Sequence, residues 1–274
     1  MNEILCSTGA LIGIKNNRDY TLLKSLSREL HCDGFEFMMY SSWYDQVEKL
    51  VDSLLEMELY FPVMHCEKHI GQALSNGTSE DSEKAFAMFQ TNCRIAGEIG
   101  ADRIVLHLWD GMVSDSHFKN NLAAYKTLRA IAEEYKVDIL VENVVCNHEN
   151  PMKHWCELRE KYPDIHFVHD TKMAAFHQQE ELLYQPEYDW LWKEGHIEHF
   201  HVNDYGGGYM DWSKLMTLPI GAGHIDFERF FSFIHKIQYE GSFTVEATAM
   251  RMDGTVDVDM LNRCFEKIRG LLSC

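Results

Sequence analysis

The run VDILVEN, Val137 to Asn143, sets the tightest limit on how this chain can fold. Ile139, Leu140 and Val141 are continuously apolar, a pattern that suits a strand covered on both faces, as in a parallel sheet. At the carboxyl end of the run stands Glu142, and burying a carboxylate is costly unless something compensates its charge. Three other apolar runs end in the same way: IHFVHD at Asp170, IEHFHV at His201 and SFTVE at Glu246. Carboxylates and a histidine, each at a strand tip, are ligands that suit a divalent metal. The expectation is that these four tips converge on one cation.

The rest of the chain repeats one pattern. Apolar runs at EILCST, GFEFM, FPVMH and RIVLHL precede VDILVEN, and amphipathic segments separate them all. Helices are predicted over Asp19–Leu30, Tyr44–Met57, from the Thr78 or Ser79 cap to about Ile99, Phe118–Tyr135, from the end of a loop at Asn147 to Pro151 as far as about Tyr162, Phe227–Ile237 and Val256–Leu272, from apolar residues at helical spacing. A helix broken at Gln185-Pro186 is predicted between Lys172 and Glu194. Glu67 to Ser79 reads as a long loop, and so does the glycine-rich segment Asn203 to Gly223. Thr78 or Ser79 and Asp226 are placed to cap helices, and Gly100 to end one. Eight strand-helix units without a linker predict an α/β fold, a (β/α)8 TIM barrel forming a single domain over residues 1–274. In such barrels the catalytic side chains stand at the carboxyl ends of the strands.

Composition narrows the partners. Apolar residues make up 46% of the chain, enough for a full-sized core. With 43 acidic against 25 basic side chains, the formal net charge of -18 disfavours nucleic acid as a partner. No apolar stretch approaches a membrane span, and MNEILCSTGALIGIKNN does not read as a signal peptide. The 8 cysteines form no CxxC pair, so reduced thiols and a cytoplasmic location are expected. Cys66 lies beside His65 at a strand tip.

One histidine with three carboxylates is a hard, oxygen-rich set suited to Mn2+ or Mg2+, and compatible with Zn2+, Co2+ or Fe2+. His65 and His107, at the tips of the third and fourth strands, are read as substrate contacts. A second metal sharing Glu142, or a hydrogen-bonded pair closing the barrel, are the other readings. Glu36, within GFEFM, either binds substrate hydroxyls or supports a histidine. Trp109 and Trp212 are assigned to the walls of a substrate pocket. His169 and His199 are assigned to the helix-facing side, as structural residues. Glu180-Glu181 reads as a solvated helix face.

These residues give the chain a resemblance to the xylose isomerase-like barrels, the superfamily of sugar isomerases and epimerases that also contains the apurinic-site endonucleases. The resemblance spans nearly the whole chain. It rests on GFEF, His65, His107, VEN with Glu142, HD with Asp170, HVND with His201 and Asp204, LPIGAGHID, and EGSFTVE with Glu246. It implies that Glu142, Asp170, His201 and Glu246 bind the metal, and that Glu142 and Glu246 also serve as acid and base. Asp204 is expected to orient a ligand from behind. Two positions depart from the family pattern: Met173 stands where a histidine is common, and the approach to Pro219 is KLMTL, with Met216 and Thr217 where an arginine or histidine is common. The missing pair belongs to the third-metal site of the endonuclease branch, which argues against abasic-site cleavage.

The implied activity is metal-dependent isomerisation or epimerisation of a sugar or polyol, by proton abstraction next to a carbonyl through an enediolate. The alternatives are an inosose-type dehydratase on the same scaffold and a non-catalytic sugar-binding barrel. No glycine loop with a basic residue is present to cradle a phosphate, which favours an unphosphorylated substrate. Association into a homo-oligomer fits barrels of this kind.

Overall fold

The structure, a computed structural model, describes residues 2–110 and 114–273. Eight parallel strands stand in chain order around a closed barrel. They are β1 (Ile4–Ser7), β2 (Gly34–Met38), β3 (Val63–His65), β4 (Arg103–Leu106), β5 (Asp138–Glu142), β6 (His166–Asp170), β7 (Ile197–His201) and β8 (Ser242–Val245). The continuous apolar runs form the strands because both faces are covered. In β5 and β6, every residue after the first is buried. Register aligns Glu142 with Val168 on β6, Glu36 with Ser7 on β1, and His201 with Thr244 on β8.

The chain divides into two compact units. One comprises Met1–Phe37, Met57–Tyr60 and His169–Cys274; the other comprises Met38–Glu56 and Phe61–Val168. The core of the first is aromatic. Phe200 and Phe243 stack at 5.7 Å, and Phe230 and Tyr239 meet Phe200 edge-on. In the second, Trp155 stacks on Phe167 at 4.5 Å beneath the helix Pro151–Lys161.

Helix ends follow the capping chemistry of the sequence. Thr78 accepts from Asp81 N and opens the helix Ser79–Ile99, which Gly100 closes in the left-handed region at φ 86°. Asp226 and Asn150 cap the helices that follow them. Other expectations need correction. Glu67 to Ser79 is not a loop: His69–Asn76 is a helix. It was obscured because it is short, lacks a side-chain N-cap and carries a glycine. The segment predicted as a helix over Asp19–Leu30 contains only a 3-10 turn and the single helical turn Leu23–Leu26. Between Lys172 and Glu194 the helices are Thr171–Phe176 and Trp190–Lys193, with 3-10 turns between them. Glu181 lies in one of those turns, exposed, and pairs with Arg229. No helix among the described residues is long and apolar enough to cross a membrane. The seven described cysteines are all free thiols, and Cys274 lies outside the described residues.

The helix His69–Asn76 packs directly on the chain leaving β4. A Cβ at Gly71 would lie 2.2 Å from His107 O and 2.7 Å from Leu108 C. Asn121 locks this contact by donating to both Gly71 O and Leu108 O, at 2.8 and 2.7 Å. Both obstructing groups are backbone and cannot rotate away. Gly71→Ala is therefore expected to lower unfolding free energy by about 2–3 kcal/mol, the scale of overpacking in a core. A urea midpoint equal to that of the unmodified protein would contradict this packing.

Candidate metal centre

In the unit that carries β7 and β8, three side chains stand together at the strand ends. One donor atom from each of Asp170, His201 and Glu246 lies within 4.8 Å of the others. Asp170 ends β6 and also caps the next helix, where its Oδ1 accepts from Met173 N at 2.9 Å. That leaves Oδ2 facing Asn203, which donates from Nδ2 at 3.2 Å. The same Nδ2 donates to Glu246 Oε2 at 3.1 Å, while Asn203 Oδ1 accepts from Glu246 N at 2.8 Å. Asn203 thus fixes both carboxylates, and Thr171 fixes Asn203 by bonding to its N and O at 3.0 and 2.6 Å.

His201 is fully buried, and its Nδ1 lies 3.6 Å from Glu246 Oε2. Its Nε2 lies 3.1 Å from Glu36 Oε2. Glu36 is itself fully buried on β2, and the same oxygen accepts from Thr244 Oγ1 at 2.9 Å and pairs with His199 Nε2 at 3.0 Å. Burial alone would raise the Glu36 pKa. The charge interaction with His201 and the hydrogen bonds from His199 and His201 outweigh burial and hold the carboxyl well below its ordinary range. A cation on the Nδ1 side would replace the proton there. Nε2–H would still donate to Glu36, and Nδ1 would offer a lone pair.

The other unit brings together His65, His107 and Glu142, again with one donor atom each within 4.8 Å of the others. His107 Nε2 is 2.6 Å from Glu142 Oε2 and His65 Nε2 is 3.4 Å from it. The far ring nitrogens are tied down as well: His65 Nδ1 to Cys66 O at 2.9 Å, and His107 Nδ1 to Asp110 Oδ2 at 3.1 Å. Burial favours neutral His107, but the Glu142 and Asp110 carboxylates overcome it and push its pKa up to about 9.

Several sequence expectations change. For Glu36, the geometry matches the reading in which it supports a histidine: its Oε2 stands beside His201 and His199. His199 does not face the helices. It lies two residues before His201, so the two share a strand face, and His199 bonds Glu36, Ser242 and Thr244 inside the sheet. His169, one residue before Asp170, takes the opposite face and meets Phe200 edge-on at 5.6 Å. Burial there holds its pKa down at about 4.

Asp204 orients no ligand. Its two oxygens accept four backbone N–H groups, those of Tyr205, Gly221, Gly223 and Ile225, and so bind the loop after Pro219. The residue bonded to both Asp170 and Glu246 is Asn203, which sequence reasoning passed over. The period of two from His201 pointed to it. Trp109 is fully buried. Its indole N–H donates to Val144 O at 3.1 Å and its ring packs edge-on against Phe118 and His154, so it walls no pocket. Trp212 is exposed in the loop after β7, edge-on to Phe176.

The donor set fits a hard divalent cation. Carboxylate oxygens and one imidazole suit Mn2+ or Mg2+, and a buried group of carboxylates needs positive charge beside it. Removing the Asp204 carboxylate would orphan four N–H donors. Asp204→Ala is expected to lower unfolding free energy by about 3 kcal/mol or more. An unchanged denaturation midpoint would show that the loop does not depend on it.

The profile of the xylose isomerase-like TIM barrel family matches residues 25–263. No curated protein sequence matches the chain. Among solved structures, the fold is similar to that of D-allulose 3-epimerase from Methylomonas sp., with 15% identity, TM-score 0.71, and 98% of this chain and 96% of that one covered. An L-ribulose 3-epimerase gives 13% identity and TM-score 0.72, with 100% and 95% covered. The 3-keto-D-glucoside 4-epimerase from E. coli gives 14% identity and TM-score 0.69, with 98% and 100% covered. At such identities the solved structures establish the fold alone, whereas the family profile takes in most of the sequence. The chain belongs to the xylose isomerase-like TIM barrel family.

Proposed function

We propose that this protein is a metal-dependent isomerase or epimerase of a sugar or polyol. The observation that carries this reading is the arrangement of Asp170, His201 and Glu246, with Asn203 orienting both carboxylates and Glu36 behind the imidazole. In this reading Glu142, at the end of β5, is the fourth ligand, and the ion is Mn2+ or Mg2+. That structures of similar fold include several sugar epimerases agrees with it.

A divalent cation bound there would polarise a substrate carbonyl and so acidify the neighbouring C–H. The chain's own residues then do the proton work. Glu142 or Glu246 takes the proton from carbon, which leaves an enediolate. The other glutamate returns a proton to the opposite face or the neighbouring carbon. His107 and His65 hold Glu142 in place through its Oε2. Asn203 does the same for Glu246. Asp170 and His201 serve as ligands only.

Two measurements test the reading. In D2O with Mn2+ and a panel of ketoses, the protein should place deuterium on the epimerised or isomerised carbon. Glu142→Gln should cut that turnover about a hundred- to ten-thousand-fold while the fold persists, the usual weight of a general acid or base. Turnover in that variant equal to the unmodified protein would remove Glu142 from the chemistry. Loss of a hydroxyl from an inosose without epimer formation would move the protein to the dehydratases.

Glu36→Gln tests the support beneath His201. It should weaken Mn2+ binding about 10- to 100-fold, as loss of such partners does at other metal sites. Equal affinity in a direct titration would show that Glu36 does not act through His201.

A further inference from the structure

Lys172 is the one lysine or arginine among the described residues that is buried. Burial of a lysine is rare unless a partner of opposite charge satisfies it. Here the partners are few. Nζ carries three N–H donors, and it makes one hydrogen bond, to Thr217 Oγ1 at 3.1 Å. Its nearest carboxylate oxygen is Asp170 Oδ2, at 3.9 Å, beyond hydrogen-bond reach. That oxygen already accepts from Asn203 Nδ2. Lys172 therefore holds positive charge beside a candidate metal ligand, with donor capacity unspent. Main-chain geometry keeps it there, because Asp170 caps the helix that starts at Thr171 and carries Lys172 in its first turn.

We propose that Lys172 contacts the substrate through an anionic oxygen. Two sources share that chemistry: a carboxylate that the sugar carries permanently, or the oxygen that gains charge as the enediolate forms. No proton need leave Lys172 in either case; Nζ donates a hydrogen bond, and the charge-assisted bond is the stronger kind. This inference rests on the proposed function for its second source only.

The test uses full-length protein, with and without Mn2+, as three forms: unmodified, Lys172→Met and Thr217→Val. Calorimetry measures D-gluconate against the neutral polyol D-glucitol, and metal analysis checks the bound ion separately. If the substrate is a sugar acid, the unmodified protein prefers gluconate by about ten-fold or more, the scale of one hydrogen bond to a charged group. Lys172→Met abolishes the preference and Thr217→Val keeps it. If the charge develops during reaction, the two probes bind alike. Lys172→Met then lowers kcat about ten-fold or more with KM little changed, and Thr217→Val does not.

A purely structural lysine gives a different result, because Thr217→Val removes its one hydrogen bond and would reproduce every effect of Lys172→Met. That outcome overturns the proposal. So does Lys172→Met with unchanged gluconate affinity and unchanged kcat. Absence of bound Mn2+ in the unmodified protein would count against the proposed function, while the gluconate preference would still decide the role of Lys172.

Discussion

Carboxylates crowded together out of water are the constraint on which the rest of this structure turns. Glu36, Asp170 and Glu246 lie in one unit, the first two fully buried, with His201 and Asn203 bonded among them. Like charges at this spacing repel strongly when water is excluded. Each is answered by a specific donor: His199, His201 and Thr244 for Glu36, and Asn203 for the other two. Among these direct donors the only charge is that of a protonated histidine, and the one ammonium nearby, Lys172 Nζ, stands 3.9 Å from Asp170 Oδ2. A resident divalent cation is the economical way to balance the remainder, and the hard donor set suits one.

The barrel turns this electrostatic problem into a site. Parallel strands end on the same side, so the polar residues at the tips of β6, β7 and β8 meet there while the apolar run below each tip pays for the strand. Support then comes from residues at a period of two along the same strand. His199 lies below His201, and Asn203 follows it, so one strand and its exit carry three consecutive parts of the centre. The alternate position, Asp204, faces away and ties down the glycine-rich loop. Ligand placement and loop placement are therefore set by one stretch of chain.

Much of this was legible in the residues. Eight apolar runs with intervening helical patterns sufficed for the barrel, and a charged or imidazole residue at the end of a buried run marked the tips. What was lost has identifiable causes. His199 was misplaced by ignoring that residues two apart share a strand face. Asp204 and Asn203 were exchanged because a carboxylate looks like a better ligand partner than an amide, although alternation favours Asn203. The helix His69–Asn76 was hidden by Gly71, whose missing side chain reflects contact with the β4 exit and not a loop. Trp109 was read from its place after a strand, but nothing in the sequence announces that Phe118 and His154 cover it.

The central claim, that these side chains grip one divalent ion, has a direct test. Protein stripped with a chelator is titrated with Mn2+, and binding is followed by calorimetry beside the same titration of His201→Ala. The account predicts one Mn2+ per chain in the unmodified protein and its loss in the variant. No saturable binding in the unmodified protein, or equal binding in both, would contradict it.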